Sequence, residues 1–152
     1  MFSFLKKEKK KKSPVPDYDA KLIKKFHKDH KKLVMHIENI NKAFQANNIV
    51  KAKQSLQKLK MEMLGHFMEE DIKLYWYMKH YYKDSEHTIS TIKIFEESIK
   101  KIQKDVVAFL DYYSQETIAL DKTFEKEFNS IIDALSTRIA TEESNLYTLY
   151  IK

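Results

Sequence analysis

Apolar residues along most of this chain recur at intervals of three and four, not two, the spacing that lays them on one face of an α-helix. Four such stripes can be traced. The first opens near the capping candidates Asp17 and Asp19, runs through Ile23, Phe26, His30, Leu33, Ile37, Ile40 and Phe44, and stops at Asn47-Asn48. The second follows Ala52, Leu56, Leu59, Met63, His66, Glu70, Leu74, Tyr77 and Tyr81 to about Lys83. Asp84 or Ser85 then caps a third, formed by His87, Thr91, Ile94 or Phe95, Ile102, Val106, Phe109 and Tyr113. After a break at 114–121 comes the fourth, with Phe124, Phe128, Ile131, Leu135, Arg138, Glu142, Leu146 and Leu149. Long stripes joined by short connections can be buried only against one another. The expected fold is therefore all-α, an antiparallel up-down-up-down four-helix bundle over residues 17–152.

Composition narrows the chemistry. The 152 residues contain no cysteine, one glycine and two prolines. Thiolate metal sites and cysteine nucleophiles are excluded, and phosphate-cradling or dinucleotide-binding loops lack their glycines. Both prolines, Pro14 and Pro16, precede the first stripe, so no proline interrupts a helix. The net charge is +6, and residues 1–12 carry six lysines against one acid, leaving the rest of the chain nearly neutral. A basic face on the folded part, as direct nucleic-acid binding requires, is not expected. Residues 1–16 read instead as a disordered basic arm ended by a short Pro-containing linker, suited to contact with an acidic surface. The apolar residues Phe2, Phe4 and Leu5 come before the lysines, the reverse order of a secretory signal, so a cytoplasmic location is expected.

The stripes also contain residues that a core built for stability alone would avoid, since an unpaired buried polar group costs roughly 1–3 kcal/mol. They are His30 on the first helix, His66 and Glu70 on the second, His87 on the third, and Arg138 and Glu142 on the fourth. His66 and Glu70 are one turn apart and can reach a common metal ion. Imidazole and carboxylate suit iron, zinc or manganese, and a carboxylate can bridge two ions. The single glycine, Gly65, stands directly before His66, where a missing side chain would let a neighbouring helix or a ligand approach. His36 and His80 are expected at solvent or the rim, and His27 flanks the stripe as a reserve ligand. The cluster Tyr75, Trp76, Tyr77, Tyr81 and Tyr82 suggests packing or a protein contact.

Asp29-His30 with Leu33, Gly65-His66-Phe67-Met68-Glu69-Glu70 with Leu74-Tyr75, Glu86-His87, and Thr141-Glu142-Glu143 with Leu146-Tyr147 resemble the hemerythrin and HHE cation-binding family. These are four-helix bundles holding a non-heme diiron centre, and the resemblance covers residues 17–152. It implies metal ligation by His30, His66, Glu70, His87 and Glu142, one or two iron ions, and dioxygen or a similar small molecule as ligand. Arg138 stands where the family usually has its last histidine, and a guanidinium has no lone pair for a metal. Thr91 likewise replaces a histidine of the oxygen-carrying branch. Arg138 also admits a metal-free network in which it pairs with Glu142.

A second resemblance is to bacterial sigma-70-binding anti-sigma regulators, through Gly65-His66-Phe67, Asp111-Tyr112-Tyr113, and Ala134-Leu135 with Arg138 and Glu142-Glu143. It implies a protein partner, the sigma subunit of RNA polymerase, and a degenerate or metal-free site. The leading expectation is an iron-containing module that binds or senses oxygen or a related small molecule in a pocket kept dry by Leu33, Phe67, Leu74 and Ile94. An enzyme ranks lowest, because no general base stands apart from the proposed ligands.

Overall fold

The computed structural model describes residues 14–152, so the lysine-rich arm expected over the first residues lies largely outside the described part. Helix α1 spans Leu22–Gln45. Asn47 takes the left-handed conformation (φ 55°) in the turn that follows. Helix α2, Ile49–Glu69, then starts with the Asn48 side chain accepting a hydrogen bond from the Lys51 amide at 3.2 Å. The rod continues through a widened π-type turn, Glu70–Tyr75, into α3, Trp76–Tyr81. Helix α4 spans Glu86–Tyr113. The Asp121 carboxylate caps α5, Lys122–Thr141, by accepting from the Phe124 amide at 3.1 Å. This last rod also ends in a π-type turn, Glu142–Leu146, followed by a short 3₁₀ turn, Tyr147–Leu149. Four helical rods and no strand make up the described residues.

Contacts between rods place the polar residues at one level. Lys25 pairs with Glu69, Asp29 with His66 and Lys32 with Glu62, so numbers rise along α1 as they fall along α2. Phe44 meets Phe124, and His30 meets Glu142, giving the same sense between α1 and the last rod. The core is formed by Phe26, Leu56, Leu59, Met63, Leu74, Ile92, Val106, Phe124 and Phe128 with their neighbours, each buried. Burial of one such side chain contributes roughly 1.5–3 kcal/mol. Below the polar level, Phe109, Phe124 and Phe128 stack on one another. The buried Lys53 holds the α4–α5 connection by donating to the carbonyls of Gln115 and Ile118. Above it, the hydroxyls of Tyr77 and Tyr82 donate to the carbonyls of Ile151 and Leu149, both at 2.7 Å, and the Tyr150 hydroxyl accepts from the Asp19 amide at 2.8 Å. The expected tyrosine cluster thus anchors the end of the chain.

The sequence stripes hold their phase until each π-type turn and then slip by one residue. Along the second rod the buried line runs Met63, His66, Glu70, Leu74 and then Met78, where the stripe had placed Tyr77; Tyr81 is exposed. Along the last it runs Leu135, Arg138, Glu142, Leu146 and then Tyr150, not Leu149. A π-type turn contains one residue more than an α-turn, so everything after it rotates by about one position.

Candidate metal centre

Two imidazoles on α1 and α2 are each fixed from behind by a carboxylate. His30 Nδ1–H donates to Glu143 Oε2 at 2.7 Å, and His66 Nδ1–H donates to Asp29 Oδ2 at 2.9 Å. Those bonds turn the Nε2 atoms inward, the arrangement by which an outer carboxylate sets the tautomer and basicity of a metal-binding histidine. His30 Nε2 lies 3.3 Å from Glu142 Oε1, and His66 Nε2 lies 3.4 Å from Glu70 Oε1. The rings of His30 and His66 are 4.9 Å apart. Donor atoms of His30, His66 and Glu142 all fall within 4.8 Å of one another, and none of these residues exceeds 3% exposure.

The two carboxylates belong to the first residues of the π-type turns, which are buried with them. In an α-turn the residue five positions on points away from a given side chain; in a π-turn it returns to the same side. The turns therefore bring Tyr75 and Tyr147 inward together with Glu70 and Glu142. Tyr147 OH donates to Glu70 Oε2 at 2.9 Å and lies 3.2 Å from His30 Nε2. Arg138 Nη2 donates to Tyr75 OH at 2.9 Å and to the Phe95 carbonyl at 3.0 Å, and its Nε lies 3.7 Å from Glu142 Oε2. Glu142 thus faces the imidazole of His30 with one oxygen and the guanidinium with the other.

The electrostatics follow from this packing. Burial pushes Glu70 well above the usual carboxylate range, and the adjacent Glu142 carboxylate adds to the rise. For Glu142 burial acts upward too, but the contact with His30 and the Arg138 charge outweigh it and hold the group low. Burial lowers His66 despite its bond to Asp29. For His30 the bonds to Glu142 and Glu143 overcome burial and the shift is upward.

Donor chemistry and spacing fit a metal ion. Ligands about 2.1 Å from an ion stand about 3.0 Å apart at right angles and about 3.4 Å apart in a tetrahedron; the His30–Glu142 and His66–Glu70 pairs, at 3.3 Å and 3.4 Å, lie in that range, while the 4.8 Å spread across His30, His66 and Glu142 must contract on loading. Without an ion, His66 Nε2, Glu70 Oε1, Glu142 Oε2 and Arg138 Nε are buried with no hydrogen-bond partner. Four such atoms at one level are a concentrated cost for a core this small. Two of them, His66 Nε2 and Glu70 Oε1, are lone-pair donors that a cation would satisfy, while Glu142 Oε2 and Arg138 Nε face each other at 3.7 Å.

Of the residues expected from sequence, His30, His66, Glu70 and Glu142 come together, with Arg138 beside them. His87 does not join them. It is exposed in the first turn of α4, whose inward line at that end passes through Thr88, Ile92 and Phe95. The level of the centre on α4 is marked by Phe95, eight residues and about 12 Å further along the axis. Ile94 is 64% exposed and does not line the site; Phe95 takes the inward position, with the guanidinium 5.5 Å from its ring centre. Nor does Gly65 admit a neighbour, since no atom lies within 4 Å of where its Cβ would be. His27 pairs with Glu143 at 3.1 Å. Sequence reasoning missed the roles of Asp29, Glu143, Tyr75 and Tyr147. The acids adjoin the ligating residues and were visible as neighbours, whereas the tyrosines depend on the π-type turns.

Residues 21–150 match the family described as Hemerythrin HHE cation binding domain, and the chain belongs to that family. The match accords with the first of the two resemblances and lends no support to a sigma-subunit partner. Neither the curated proteins nor the solved structures give a match. Among the described residues no helix is long and apolar enough to cross a membrane.

Proposed function

We propose that the chain binds one non-heme iron ion through His30, His66, Glu70 and Glu142 and uses it, in the cytoplasm, to bind or sense dioxygen or a related small molecule. The observation that carries this reading is the pair of carboxylate-fixed imidazoles whose Nε2 atoms meet two carboxylates in a buried core. When bound, the ion supplies a Lewis-acidic, redox-active position for a small ligand.

The chain's own residues do the rest. Asp29 and Glu143 hold the histidines in the tautomer that presents a lone pair. Leu33, Phe67 and Leu74 exclude water around the donors. Carboxylate and imidazole donors must shed their protons to bind a cation, so uptake weakens as the pH falls. Arg138 argues for one ion and not two. Its guanidinium lies against the Glu142 oxygen that a second cation would use, and it adds a fixed positive charge there.

Iron analysis of protein purified without chelator tests the proposal. About one equivalent per chain is expected, falling by at least about 100-fold in affinity in His30→Ala and His66→Ala. Iron or another transition metal below half an equivalent in the native protein defeats it.

A further inference from the structure

We propose that the Tyr147 phenol is itself a ligand of the ion, bound as phenolate beside His30 and Glu70. The inference rests on the iron reading above and adds a donor that neither the family match nor the ligand set implied by the resemblance assigns.

The placement is specific. Tyr147 O lies 3.2 Å from His30 Nε2 on α1, within the range for neighbouring ligands of one ion, and its hydrogen bond of 2.9 Å to Glu70 Oε2 on the second rod is close to the lower end of that range. The side chain is 4% exposed, and its ring stacks on that of His30 (interplanar angle 15°), so the phenol oxygen and the imidazole nitrogen face the same point. Lone pairs outnumber protons here. The single phenol proton can satisfy Glu70 Oε2 or His30 Nε2, but not both. The Phe26 ring also packs against it, with centroids 5.7 Å apart, and the anchored chain end following Tyr147 limits its withdrawal. The companion phenol is already engaged differently, because Tyr75 O accepts the Arg138 hydrogen bond. The π-type turn beginning at Glu142 places Tyr147 inward at a position that an α-turn would rotate away.

Binding is a proton-for-metal exchange with no change of oxidation state. The phenol O–H bond breaks, its proton passes to solvent water, and an oxygen lone pair forms the bond to the ion.

The full chain is loaded anaerobically with one equivalent of ferrous iron and oxidised with ferricyanide. Phenolate bound to ferric iron gives a charge-transfer band in the visible region, and resonance Raman excitation within that band enhances phenolate ring modes. The wild type should show both. Tyr147→Phe should lose the band while retaining iron through the other donors, and Tyr75→Phe should keep it. Wild-type protein that holds iron but shows no phenolate modes, or a band that persists in Tyr147→Phe, overturns the inference and leaves the iron reading standing. A chain that holds no iron overturns both. If Tyr147→Phe does not fold, the Tyr75→Phe spectrum decides: a retained band supports Tyr147, and loss of the band refutes it.

Discussion

Glu70 and Glu142 occupy matching places at the starts of the two π-type turns but hold their charge differently, because the cations beside them differ. Glu142 has Arg138 and His30; Glu70 has a phenol and an imidazole whose protonation burial disfavours. A raised carboxyl contributes stability that is present below its ordinary range and lost as the pH rises through the raised value. Glu70 therefore weakens the metal-free protein at neutral pH. Replacing it with glutamine removes the charge and keeps the hydrogen-bonding shape. Glu70→Gln should stabilise chelator-treated protein at neutral pH by roughly 1–3 kcal/mol, show little gain at pH 4, and bind iron far more weakly; paired thermal melts and metal analysis would check this. Arg138→His exchanges a fixed cation for a lone pair. We expect its iron content to rise from one equivalent toward two, with an altered visible spectrum. Unchanged content and spectrum would remove Arg138 from any ligand position.

At the scale of the helix, much was legible in advance. The four stripes and the breaks at Asn47-Asn48 and 114–121 follow from period, and the helices begin and end close to them. Ser85 stands at the start of α4 but its hydroxyl donates to Thr88 Oγ1 and caps no amide, and α1 starts after Lys21 with no side-chain cap. The phase after Glu70 and after Glu142 was not legible, because nothing in local propensity announces an extra residue in a turn; it is imposed by groups from other rods. That slip replaced Tyr77 by Met78 and Leu149 by Tyr150 and brought the site tyrosines inward. His87 failed for a related reason. A histidine near the start of a helix can fit a stripe by spacing and still lie two turns from the level at which the rods converge. Gly65 is the remaining local anomaly, exposed within α2 with open space at its missing Cβ. Gly65→Ala should stabilise the protein by about 1 kcal/mol, which raises the midpoint of a thermal melt by about 2–4 °C, with iron content unchanged. A loss of stability or iron would show that the backbone there needs its freedom.

For the molecule as a whole, the donors come from α1, the second rod and the last rod, so an ion held by them ties together elements distant in sequence. Binding to the folded state alone should stabilise by about 2.7 kcal/mol at 100-fold excess over the dissociation constant. That corresponds to about 5–10 °C in melting midpoint for a chain of this size. Removing the metal with a chelator should reverse the gain, and a melt insensitive to iron would count against a core site. The widened turns carry a further consequence. Both leave the regular hydrogen-bond ladder at the level of the donors, Glu70–Tyr75 in one rod and Glu142–Leu146 in the other. They form a soft seam across otherwise continuous rods, where backbone amides would trade their protons for deuterium sooner than those of the flanking helical turns in the apo protein and slow most once the seam is pinned from within.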